Sequence, residues 1–104
     1  MKKKNHFELI IFDIDGVLEY QGKVYPGALE LTNNIRKHGI NLRFLTNSTL
    51  KSAKSAAQKL QSKGFEAYEQ EVITASKATA LYLKKLNPRS IWLLQSREGA
   101  EEFT

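Results

Sequence analysis

The chain has 104 residues, within reach of a single domain of about 100–150 residues with a real core, and its net charge of +5 favours anionic partners in general. It contains no cysteine, which excludes a disulfide framework or a thiolate metal site and leaves redox chemistry unexpected. Lys2, Lys3 and Lys4 read as a solvated tail, and Glu8 and Asp13 interrupt the apolar run behind them before a signal peptide or membrane span accumulates, so a cytoplasmic location is expected.

The run Leu9 to Phe12 predicts a first strand, buried in a parallel sheet, and it stops at Asp13, Asp15 and Gly16. Those two residues are the only aspartates in the chain. Val17 to Val24 alternates loosely around Gln21-Gly22 and predicts a short hairpin beside the carboxylates. Pro26 opens a helix in which Ala28, Leu31, Ile35 and His38 recur at helical spacing, with Gly39 as its C-terminal cap. Ile40 to Leu45 predicts a second strand ending in Thr46-Asn47-Ser48-Thr49, where Ser48 or Thr49 is the expected N-cap of the next helix.

That second helix carries Leu50, Ala53, Ala57 and Leu60 on one face and ends before Gly64; Lys51, Lys54, Lys59 and Lys63 read as its wet side. A third helix is predicted from Ser76 to Leu86, stopped by Asn87-Pro88, and Ile91 to Leu94 reads as another strand. Tyr82 and Trp92 suit packing in a core or at an interface, and His6 and His38 suit structural positions. Alternation of strands and helices is the pattern of a parallel α/β sheet.

In such sheets chemistry gathers where the strands end at their carboxyl edge. Asp13 can attack phosphorus to form an aspartyl phosphate, and Asp15 can protonate the leaving oxygen and then activate water. Gly16 permits a tight turn there. Two carboxylates facing a phosphate dianion repel it, which calls for a hard cation such as Mg²⁺ between them, with Asp13 and Asp15 as its ligands. Thr46 and Asn47, at the end of the next predicted strand, are expected on the same edge, offering a hydroxyl and backbone amides to phosphate oxygens.

Phe12-Asp13-Ile14-Asp15-Gly16-Val17-Leu18 and Phe44-Leu45-Thr46-Asn47-Ser48 resemble the first and second motifs of the haloacid dehalogenase superfamily. Val24-Tyr25-Pro26-Gly27-Ala28 through Gly39, and Thr46-Asn47 through Glu71-Val72-Ile73-Thr74, are similar to the subclass of 4-nitrophenyl phosphatase and phosphoglycolate phosphatase-like enzymes. The resemblance implies a Mg²⁺-dependent phosphohydrolase with a partial Rossmann-like parallel sheet, a hairpin flap and the beginning of an α/β cap. Residues 1–88 would belong to the core domain and residues 89–104 to the start of the cap. It implies Asp13 as nucleophile and metal ligand, Asp15 as acid/base whose carbonyl also reaches the metal, Thr46 as phosphate ligand, and Asn47 and Gly16 as contacts to substrate.

The family also needs a later lysine and a further acidic pair, and neither is recognisable here. The expectation is an amino-terminal fragment of such an enzyme, acting on a small phosphorylated substrate. One alternative is a catalytically silent protein that holds Mg²⁺ and phosphate weakly and self-associates through an exposed sheet edge. A basic nucleic-acid module is a minor one, because no aromatic residues interleave with the lysines.

Overall fold

The structure is a computed structural model and describes residues 7–48, 51–92 and 97–103. Three parallel strands form its sheet: β1 (Leu9–Asp13), β4 (Asn41–Thr46) and β5 (Val72–Thr74), with β4 in the middle. The register pairs Asp13 with Leu45 and Thr46 with Thr74, so the carboxyl ends of all three strands share one edge. Between β1 and β4 lie the hairpin β2 (Glu19–Tyr20) and β3 (Lys23–Val24), then helix α1 (Ala28–Lys37). Helix α2 (Ala53–Ser62) and a 3₁₀ turn (Glu69–Glu71) connect β4 to β5. Helix α3 (Ala75–Leu86) and a short helix α4 (Arg97–Ala100) running into a second 3₁₀ turn (Glu101–Phe103) follow.

The hairpin forms where the sequence places it, because Gln21 and Gly22 both take positive φ, 50° and 83°, as a two-residue primed turn requires. Helix α1 starts two residues after Pro26, with Gly27 at its N-cap, and its buried stripe is Ala28, Thr32 and Ile35. Leu31, expected on that stripe, is exposed. Gly39 turns the chain with φ 74° into β4.

Strand β4 alternates strictly: Leu42, Phe44 and Thr46 are buried, and Asn41 and Leu45 are exposed. Its inner face meets α1, while β5 meets α2. The core therefore gathers Ile14, Leu18, Ile35, Leu42, Phe44, Leu60, Phe65 and Val72 around Ala53 and Ala57 of α2. Small residues on α2 let the helix approach the sheet closely.

Strand β1 departs from the expected buried strand. Ile10 and Phe12 pack on the core, whereas Leu9 and Ile11, Ile11 at 52% exposure, point to the other face of the sheet, where Leu45 of the central strand is exposed as well. Strand β5 was not anticipated from composition. It is three residues long and sits between polar segments. A bidentate clamp fixes its position: Arg36 Nη1 and Nη2 donate to the Glu71 carboxylate at 2.9 and 2.6 Å, and Nη2 also donates to the Glu66 carbonyl. The guanidinium lies 5.5 Å from the Tyr68 ring centroid, and the bond to Glu71 raises its pKa above the ordinary arginine value.

Two aromatic expectations change. Trp92 is 88% exposed and Tyr82 is exposed, so neither belongs to the core; α3 buries only Ser76 fully. Ile91 and Trp92 carry no strand structure, and the remainder of the expected strand, Leu93 and Leu94, lies outside the described residues, as do Leu50 and His6.

Candidate active site

The loop after β1 is built by its backbone. Ile14 N–H donates to the Leu45 carbonyl at 3.0 Å, the Leu18 and Glu19 amides return to the Ile14 carbonyl, and Gly16 N–H donates to the Glu19 carbonyl at 2.8 Å. Gly16 takes φ 83°, a region in which an L side chain is strained by roughly 1–2 kcal/mol. This tight reversal presents Asp15 beside the end of β4. Thr46 Oγ1, on a residue only 5% exposed, donates to Asp15 Oδ2 at 3.3 Å and accepts from the Ser48 amide at 3.2 Å. One hydroxyl thus joins the first sequence motif to the second.

Asp15, Thr46 and Ser48 line a cleft of about 400 Å³ together with buried Glu19, with Lys51 just before α2, and with Ser55 and Lys59 of α2. Asp13 stands at the carboxyl end of β1 and Asn47 just beyond β4; both are exposed, and neither lines this cleft. All four polar residues singled out in the two motifs therefore sit along one sheet edge, with Thr46 in direct contact with Asp15.

Two hard carboxylate donors two residues apart suit Mg²⁺, which commonly binds through one or two carboxylates and completes its shell with water and phosphate oxygens. Among the described residues no cluster of three or more His, Asp or Glu side chains could hold an ion without such help.

The wet-face reading holds for Lys51, Lys54 and Lys59, which are exposed, and needs correction at Lys63, which ion-pairs with buried Glu19 at 3.5 Å while donating to the Gly22 carbonyl at 2.7 Å, tying α2 to the hairpin. Sequence periodicity had no means of identifying which lysine meets the hairpin. The N-cap of α2 also shifts: Ser52, not Ser48 or Thr49, accepts from the Ser55 amide at 3.1 Å.

Carboxylates from the far end of the chain satisfy two further amides of that helix end. Glu98 Oε2 accepts from Ser52 N–H at 2.9 Å and Glu102 Oε2 from Ala53 N–H at 2.7 Å. The Ser52 amide, the Ser55 hydroxyl and the charge of Lys51 hold the Glu98 carboxyl below its ordinary pKa of 4.5. A lowered pKa means the contact is complete above that ordinary value and is lost as pH falls through the lower folded value. Protection of the Ser52 amide, referred to its intrinsic exchange rate at each pH, should therefore fall on acidification below about pH 4.5, and Glu98→Gln should flatten that response. An acid response identical in Glu98→Gln would show that Glu98 is not the group involved.

Comparison with known proteins places these features. The sequence pattern of haloacid dehalogenase-like hydrolases matches residues 10–104. Phosphoglycolate phosphatase 1A of Arabidopsis thaliana, a chloroplastic protein, is 36% identical over 80 residues, 77% of this chain and 22% of that protein. Among solved structures, a hypothetical protein from Pyrococcus horikoshii superposes with a TM-score of 0.85 at 35% identity, over 90% of this chain and 36% of that one. A 4-nitrophenylphosphatase from Thermotoga maritima superposes with a TM-score of 0.85 at 28% identity, over 93% of this chain and 38% of that one. The chain thus spans well under half the length of each of these relatives.

Proposed function

Because the chain belongs to the haloacid dehalogenase-like hydrolase family, we propose that it carries the phosphate-handling part of a Mg²⁺-dependent phosphatase acting through an aspartyl phosphate. The observation that carries this reading is the 3.3 Å contact from Thr46 Oγ1 to Asp15 Oδ2, which ties both motifs to one sheet edge beside Asp13. Asp13 is the nucleophile: one carboxylate oxygen forms a bond to phosphorus as the bond from phosphorus to the ester oxygen breaks. Asp15 gives its proton to the departing oxygen.

In the second half Asp15 takes a proton from water, the water oxygen attacks phosphorus, and the acyl phosphate bond breaks to release orthophosphate and restore Asp13. Thr46 holds Asp15 in place and offers its hydroxyl to a phosphate oxygen. Asn47 and the turn at Gly16 would complete the substrate contacts. Mg²⁺, held by Asp13 and Asp15, would supply positive charge against the phosphate and the two carboxylates.

The kinship with enzymes named for phosphoglycolate and 4-nitrophenyl phosphate supports a small phosphomonoester as substrate. No helix among the described residues is long and apolar enough to cross a membrane. Thr46→Val tests the phosphate site, since the methyl keeps the shape and removes the hydroxyl. Titration with orthophosphate in Mg²⁺ buffer should show roughly tenfold weaker binding, the scale of one hydrogen bond to a charged group. Unchanged affinity would remove Thr46 from the site.

A further inference from the structure

We propose that Lys63 is a positioning residue for the reaction: through the Glu19 carboxylate it holds the turn that aims Asp15 at the departing oxygen. The proposal rests on the phosphatase reading above, in which Asp15 is the proton donor, and adds what keeps that donor in place.

Asp15, Gly16 and Val17 are exposed, and no heavy atom lies within 4 Å of the place a Cβ on Gly16 would take, so packing does not fix the tip of the turn. Its two ends, Ile14 and Leu18, are anchored in the core. The restraint on the tip comes from the backbone of Glu19. Glu19 N–H donates to the Ile14 carbonyl at 3.2 Å, and the Glu19 carbonyl accepts from Gly16 N–H at 2.8 Å. Both neighbours of Asp15 are therefore bonded to one residue, and Asp15 itself forms an isolated parallel bridge with it.

The side chain of that residue is only 4% exposed, and a buried carboxylate is unfavourable without a partner. Among the described residues its ion-pair partner is Lys63, whose Nζ lies 3.5 Å from Glu19 Oε2. The same ammonium donates to the Gly22 carbonyl at 2.7 Å, so it grips strand β2 and the hairpin turn together. Lys63 is the C-cap of α2, where a cation also suits the negative end of the helix. Contacts thus run from α2 through Lys63 to Glu19, from the Glu19 backbone to both neighbours of Asp15, and from the Asp15 carboxylate to Thr46. Without the ammonium the Glu19 carboxylate turns toward water, and the backbone that brackets Asp15 moves with it.

The chain has only two aspartates, so cell-free synthesis with aspartate carrying ¹³C at its side-chain carboxyl gives two aspartate signals, and Asp13→Asn assigns them. At one fixed neutral pH, Thr46→Val defines how far the Asp15 signal moves when its hydroxyl partner is lost. Lys63→Met, which keeps a stem of similar length, should move the Asp15 signal in that direction while the Asp13 signal stays, and Lys63→Arg should restore it. An unmoved Asp15 signal, or equal movement of both signals, would overturn the proposal. Should Lys63→Met not fold, the double variant Glu19→Gln, Lys63→Met leaves no charge in the core and must show the same displacement; an unmoved Asp15 signal there would overturn it as well.

Turnover separates aim from mere loosening. Phenyl phosphate needs a proton on its leaving oxygen, whereas 2,4-dinitrophenyl phosphate does not. Lys63→Met should slow phenyl phosphate roughly tenfold more than the dinitrophenyl ester, in kcat rather than KM, as part of the 10²–10⁴-fold that a placed general acid contributes. Equal losses with the two esters would overturn the proposal by making Lys63 only a structural clamp. Absence of turnover in wild type would instead overturn the phosphatase reading, and the carboxyl signals then decide whether Lys63 places Asp15.

Discussion

Asp13→Asn should reduce hydrolysis of an aryl phosphate by roughly 10⁴-fold or more, the scale on which loss of a covalent nucleophile acts. The substitution changes one oxygen for a nitrogen of nearly the same size at an exposed strand end, so the sheet register and the core are untouched. An amide nitrogen, whose lone pair is delocalised into the carbonyl, does not form the acyl phosphate, and Asp15 cannot substitute because the turn at Gly16 points it toward Thr46. Mg²⁺ affinity should fall as well, since one of the two carboxylates is gone. The measurement is steady-state turnover with wild type and variant prepared side by side, with a circular dichroism spectrum of each to show that the fold is kept. Turnover within tenfold of wild type would remove Asp13 from the role of nucleophile.

The largest effect on stability is expected from Phe44→Ala. Phe44 is wholly buried in the central strand, paired across the backbone with Phe12 on one side and Val72 on the other, and it lies in the core beneath the helices. Truncation removes a large apolar surface and leaves a cavity that rigid strand neighbours cannot fill, which costs about 3–5 kcal/mol. Chemical denaturation should show a correspondingly lower midpoint with little change in slope. Because Thr46 is two residues along the same face, loosening at Phe44 should also weaken orthophosphate binding in the population that remains folded. A loss of less than about 1 kcal/mol would mean that the core does not depend on this side chain as its burial indicates.

Where local chemistry dictates local structure, the sequence was legible. Gln21-Gly22 read as a hairpin because only a primed turn joins two strands in two residues, and both residues do adopt positive φ. Asp13, Asp15 and Thr46 read as one edge because parallel strands of similar length must end together, and the register brings them there.

Features decided by the surroundings of a segment were harder to read. Hydropathy marks Leu9 to Phe12 as fit for burial, but whether both faces are covered depends on neighbouring elements, and Ile11 is open. Four successive capping residues, Thr46 to Thr49, drew the start of α2 forward, although the helix begins only after Ser52. Strand β5 is too short for its alternation to stand out, and its position depends on the Arg36–Glu71 clamp, 35 residues apart in sequence.

The central claim is that phosphorus is transferred to Asp13. Rapid acid quench of the protein during turnover of a radiolabelled phosphate ester, followed by proteolysis and peptide mapping, tests it most directly. The account predicts acid-stable, hydroxylamine-sensitive label on the peptide containing Asp13, absent in Asp13→Asn. Turnover with no label on that peptide, or label on Asp15 instead, would contradict it.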